Sequence, residues 1–192
     1  LTLPIPFLHF SDDEIIHNVN QLGVSLGSTS KEIAKSVNDV LFPKINKAYV
    51  DNIPIASIII KATLYLVLIA FPPLVFFIFF GEEAFILIFG EEWAGAGIMS
   101  QWVALRFYFG FISRACLTAL PVFKLERFLL FNSALNFVLS LFGFYLGFVL
   151  FENYLYAVAL FSLFGVVPQA LIIFVAIKRA KTHDNYIRKQ MQ

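Results

Sequence analysis

Charge is what this chain has least of. Of its 192 residues only 14% are Asp, Glu, Lys or Arg, and 59% are hydrophobic, whereas soluble domains carry about a quarter charged residues. A water-soluble fold of this size has too little interior to hide that much hydrocarbon. Basic and acidic residues nearly cancel, 14 against 13, which leaves no basic field of the kind that attracts nucleic acid; the scattered Lys and Arg are better read as topology signals. There is a single cysteine, Cys116. It has no internal disulfide partner, and among apolar neighbours it is expected to be a small buried hydrophobe. His9, His17 and His183 stand at no metal-ligand spacing with it, so no metal site is expected, and His183 is expected in solvent-exposed chain. A nucleophile elbow, a phosphate-cradling glycine loop and paired carboxylates are all missing, so neither catalysis nor a cofactor is expected. The start "LTLPIPFLHF" lacks the basic flank of a secretory signal and is broken by prolines. It also lacks an initiating Met, as expected of a piece of a longer protein.

What the chain has in quantity is uninterrupted apolar sequence. "FLLFNSALNFVLSLFGFYLGFVLF" (Phe128 to Phe151) and "NYLYAVALFSLFGVVPQALIIFVAI" (Asn153 to Ile177) contain no formal charge. As helices, rising about 1.5 Å per residue, both exceed the roughly 30 Å hydrocarbon core of a bilayer. "ATLYLVLIAFPPLVFFIFF" (Ala62 to Phe80) meets the same length despite Pro72 and Pro73. Spanning helices tolerate proline when neighbours satisfy the freed carbonyls, so a kink is expected there. The class that follows is an all-α, polytopic membrane helix bundle.

Lys and Arg outside these stretches fall in alternate connections. Lys44 and Lys47 precede the first span, Lys124 and Arg127 lie in the "KLER" turn, and Lys178, Arg179, Lys181, Arg188 and Lys189 follow the last. The connections between, "GEEAFILIFGEEWAGAG" (Gly81 to Gly97) and "FENY" (Phe151 to Tyr154), contain neither. The positive-inside rule then predicts four spans, at 56–80, 98–123, 128–151 and 155–177, with the C-terminus cytoplasmic. The outer stretch "AFILIFG" is too short to span and is expected to form a lid or interfacial turn. Three regions result: a polar lead at 1–52, a helix bundle at 53–180 and a basic tail at 181–192. "GFYLG" (Gly143 to Gly147) matches the close-packing pattern GxxxG and predicts a helix contact inside the molecule rather than a dimer.

The polar lead is harder to place. "SDDE" (Ser11 to Glu14) has capping-box form and can start a helix. Downstream, Ile33, Val37, Val40 and Leu41 share one side while Ser28, Lys31, Glu32, Lys35 and Asp39 populate the other, and Pro43 is expected near the end. Such a segment can lie on the cytoplasmic surface or can span with its polar face toward a watery cavity.

Within the second predicted span, "VALRFYFGFISRACLTALP" carries Arg106 and Arg114. A charge at mid-membrane costs about 2.5–3.5 kcal/mol on insertion scales, and such residues generally face a protein interior or a hydrated path. Eight residues separate the two by roughly 80° and about 12 Å, so they share one broad face. Either each snorkels to its own headgroup layer, or both face a cavity, with Arg114 the more central and the harder to expose. Guanidinium groups on a cavity wall suit phosphate or carboxylate, which they bind bidentately. On the polar segment Lys31 and Lys35 add positive charge, with Glu32 and Asp39 placed to offset it or to carry a coupling ion or proton.

"VLFPKINKAY" (Val40 to Tyr49), "LIFGEEWAGAG" (Leu87 to Gly97) and "FKLERF" (Phe123 to Phe128), with the order of spans, resemble the C-terminal half of bacterial polysaccharide (O-antigen) flippases of the multidrug/oligosaccharidyl-lipid/polysaccharide superfamily. The resemblance implies two six-helix bundles around a central cavity, of which this chain supplies the second and lacks the N-terminal one. It implies an undecaprenyl-diphosphate-linked oligosaccharide as cargo, membrane lipids as surroundings and the bacterial inner membrane as location. It also implies that residues 19–42 form a fifth, cavity-lining helix, and that Arg106, Arg114, Lys31 and Lys35 compensate the diphosphate. An ion-coupled multidrug exporter of the same superfamily would instead hold acidic residues in the cavity; a membrane glycan polymerase or ligase would carry arginines on a large outer loop. A non-transporting truncated half is a further alternative.

Overall fold

The protein is seen in a computed structural model that describes Lys35 and residues 38–190. Contacts divide the chain between residues 37 and 38, and the architecture below is that of residues 38–190. It is all-α. A helix at residues 38–50, here α1, is followed by α2 (Ala56–Phe89), a short 3-10 turn (Glu91–Trp93), α3 (Ala94–Ala119), α4 (Glu126–Phe151) and α5 (Tyr154–Gln190). Each connection turns on one residue with positive φ: Asn52, Gly90, Lys124 and Glu152. Left-handed backbone suits Gly and is tolerated by Asn, so these positions mark sharp reversals.

Three helices, α2, α4 and α5, are long and apolar enough to cross a membrane. The fourth predicted span, α3, has 26 residues, about 39 Å of helix, but its two arginines and its small polar residues keep it below the apolarity of the others. Little of this apolar surface is covered by the chain itself: in the most apolar stretch of α2, 11% of residues are buried, against 28% in α5. Leu68, Phe79, Phe137 and Phe174 are each at least 60% exposed, which in water would be an aggregation surface.

Helices α2 and α3 form one antiparallel hairpin and α4 and α5 another, and the hairpins join along α3 and α5. Small residues fix both hairpins. Gly81 and Gly97 bring the α2 and α3 backbones together, since a Cβ on Gly97 would meet the backbone of Glu82. On α4, Gly143 and Gly147 press on the α5 backbone at Leu160 and Ala157, so the GxxxG stretch is an intramolecular contact as expected. Substituting Gly147 with Val should wedge α4 from α5 and lower the melting temperature by several degrees, on the order of 2 kcal/mol of overpacking; an unchanged melt would refute the contact.

Three expectations about helix ends need correction. The stretch Gly81 to Phe89 is no lid: it continues α2, which runs unbroken through Pro72 and Pro73 for 34 residues. The glycine contact at Gly81 holds that extension against α3, so "AFILIF" stays helical. The expected tail is likewise helical, because α5 continues to Gln190, and Ala180, Asp184 and Ile187 on its extension are buried. Pro43 does not end α1 either, which continues to residue 50 and docks through Ile45 and Ala48. Of the proposed cavity-lining helix at 19–42, only Lys35 and residues 38–42 lie within the described residues, all of them helical.

Candidate functional site

The core of the bundle gathers at one end, where α1, the start of α2, the turn after α3 and the C-terminal part of α5 meet. Its organising group is Asp184. The Asp184 carboxylate accepts hydrogen bonds from the Ile55 amide (2.7 Å, to Oδ1) and the Ala56 amide (3.0 Å, to Oδ2). These are first-turn donors of α2, which have no carbonyl partner within their own helix. A carboxylate here satisfies both and lies at the positive end of the helix dipole. No nearby residue supplies that cap; it comes from the far end of the sequence.

His183, next to it, is not in solvent-exposed chain as expected. Its ring stacks on Tyr49 of α1 at 4.8 Å between centroids, and Nδ1 lies 3.6 Å from Asp184 Oδ1. The helical continuation of α5 carries it into the cluster. Cys116, fully buried, packs beside Thr63 with 3.6 Å between Sγ and Oγ1. Among the described residues no group of His, Cys, Asp or Glu could hold a metal ion.

The two arginines of α3 part company. Helix α3 begins and ends about four residues earlier than the predicted 98–123 span, so Arg106 is the central one. Arg114 lies five residues from the helix end, about 7.5 Å along the axis. Arg106 turns into the protein. Its Nη1 donates to Ser140 Oγ (2.8 Å) and to the Phe161 carbonyl (2.9 Å), and Nη2 reaches Asn136 Oδ1 at 3.4 Å. Its Cζ also lies 4.3 Å from the Phe161 ring centroid, a cation–π placement. Gly165 makes room, since a Cβ there would collide with the guanidinium. Ser113 donating to Gln169 (2.7 Å) is a second polar tie between α3 and α5. A charge paired with three acceptors from two helices ties α3 to the other hairpin, a role the helical spacing alone did not reveal.

Arg114 is exposed, and among the described residues its side chain makes no hydrogen bond or ion pair. Seven residues is close to two full turns, so it continues the stripe of Phe107, and Phe107 with Phe111 lines a groove of about 480 Å³ between α2 and α3. Ile69, Pro73 and Phe77 form the opposite wall. The groove is almost wholly apolar, with Ser100 and Tyr108 the polar residues of its wall; Arg114 is not part of that wall and lies about one turn beyond Phe111 along α3.

Four candidates remain from the polar lead and the start of α1. Lys35 and Asp39 are helical and exposed; Lys31 and Glu32 lie outside the described residues. Asn136, Ser140, Gln169 and Asp184 were not singled out by the sequence. Polar residues inside otherwise charge-free helices were the available signal for the first three.

No protein-family model, no curated protein and no solved structure matches this chain.

Proposed function

We propose that the chain is the second helical bundle of a flippase that moves undecaprenyl-diphosphate-linked oligosaccharide across the bacterial inner membrane for surface polysaccharide biosynthesis. The reading rests on the stretches at Val40–Tyr49, Leu87–Gly97 and Phe123–Phe128, joined to three apolar candidate spans and α3 as a fourth, more polar one. In this arrangement the end bearing Lys44, Lys47, Lys124, Lys178 and Arg188 faces the cytoplasm. The observation that carries it is Arg114: an exposed guanidinium on an otherwise apolar helix face. Carrying a diphosphate through about 30 Å of hydrocarbon requires compensating charge along the way. Arg114 supplies it on this bundle, Lys31 and Lys35 add to it from the lead segment with Glu32 and Asp39 balancing them, and Arg106 holds α3 in place from behind. Rocking against a companion N-terminal bundle would alternate access.

The drug-exporter reading needs an acidic cavity residue, and the carboxylates of α2 to α5 stand near helix ends: Glu82 and Glu83, Glu126, Asp184. A glycan polymerase needs a large arginine-bearing outer loop, whereas the α2–α3 and α4–α5 connections here are short and lack Arg.

Arg114→Ala, introduced into the gene in its host, should cut surface polysaccharide at least tenfold and leave lipid-linked oligosaccharide on the cytoplasmic face, with expression and melting temperature unchanged. Normal export in that variant would remove the proposal's main support.

A further inference from the structure

The α2–α3 groove and the charges around it are arranged like the two halves of an amphiphile. Along α3 the groove extends from Ser100 to Phe111, about 16 Å, close to one leaflet's share of a hydrocarbon core of about 30 Å. Just past one end, one turn beyond Phe111, stands an exposed cation, Arg114 on α3. At the other end are four carboxylates, Glu82, Glu83, Glu91 and Glu92. A chain bearing an anionic headgroup therefore fits in one direction only, head toward Arg114.

The geometry points to a binding site for an anionic glycerophospholipid, with its phosphate at Arg114 and one acyl chain along Phe111, Phe107, Pro73 and Phe77. Apolar walls exposed to this extent need hydrocarbon against them, and the end charges select among membrane lipids by headgroup. The inference stands apart from transport: it requires a bilayer around the helices, not a cargo.

The test uses the full chain, purified in mild detergent, with melting temperature followed as lipid is added. Phosphatidylglycerol should stabilise at concentrations about fivefold lower than phosphatidylcholine with the same acyl chains, the contribution of one cation near the headgroup. Free glycerol phosphate should do nothing. Arg114→Gln should erase the preference between the two lipids while keeping the phosphatidylcholine response. Ala104→Phe, which fills the groove, should abolish both responses; Phe107→Leu, which keeps the wall apolar, should keep both and so control for misfolding. The proposal is overturned if Arg114→Gln retains the preference, if the two lipids act alike on the unaltered chain, or if undecaprenyl phosphate stabilises where phosphatidylglycerol does not. Phosphatidylglycerol selectivity alongside normal polysaccharide export in Arg114→Ala would leave the site standing and the transport reading refuted.

Discussion

Asp184→Ala should lower the melting temperature of the purified protein by about 5–10 °C, corresponding to roughly 2–4 kcal/mol. Two contributions add. The Ile55 and Ala56 amides, bonded at 2.7 and 3.0 Å, would be left without acceptors at a buried helix start, and the start of α2 would lose the negative charge that complements its dipole. Asp184→Asn keeps one acceptor oxygen but loses the charge and should fall about midway. His183→Ala removes the stack on Tyr49 and leaves the cap, so it should cost about 1 kcal/mol. Hydrogen exchange sharpens the test: the first turn of α2 should lose protection in Asp184→Ala before the glycine contact at Gly81 does. Equal protection at both places would mean that the carboxylate does not hold that helix end.

Arg106→Ala is expected to cost about 3 kcal/mol and to loosen one hairpin from the other. Hydrogen bonds between membrane helices average about 0.6 kcal/mol in measured cycles; three of them, with a cation–π contact worth about 1 kcal/mol, give that sum. Gly165→Ala acts on the same guanidinium from the opposite side, because its methyl would occupy the space the side chain fills. The two changes should therefore not add: in Arg106→Ala, Gly165→Ala should become nearly neutral, and a double-mutant cycle should show a coupling of 1 kcal/mol or more. Independent, additive effects would refute the packing described. Neither change should alter the lipid preference assigned to Arg114, which separates the holding arginine from the binding one.

Much of the bundle was legible in the sequence for simple reasons. The uncharged runs ending at Phe151 and Ile177 exceed a bilayer's thickness, and no soluble core could absorb them. Gly143 and Gly147 announced a close helix contact because a missing Cβ every fourth residue leaves a furrow on one face. The helix ends were misplaced because hydropathy stops where apolar residues stop, whereas a helix stops where its backbone loses support. Gly81 against Gly97, and Asp184 on the first amides of α2 with His183 stacked on Tyr49 of α1, supply that support beyond the apolar runs. The arginines were misread for a related cause. Their depth depends on where α3 begins, and a shift of about four residues exchanged the central and the peripheral one.

By itself, then, the sequence determined the all-α class, the three long apolar runs that lie in α2, α4 and α5, and the sign of charge at each end, since all three follow from local composition and the cost of exposing hydrocarbon or burying charge. Only the tertiary structure decided which guanidinium is spent on holding helices and which is left exposed, and that the start of α2 is capped from α5. Those outcomes depend on partners 30 to 129 residues away in the chain, and separation of that order leaves no periodic trace in the sequence.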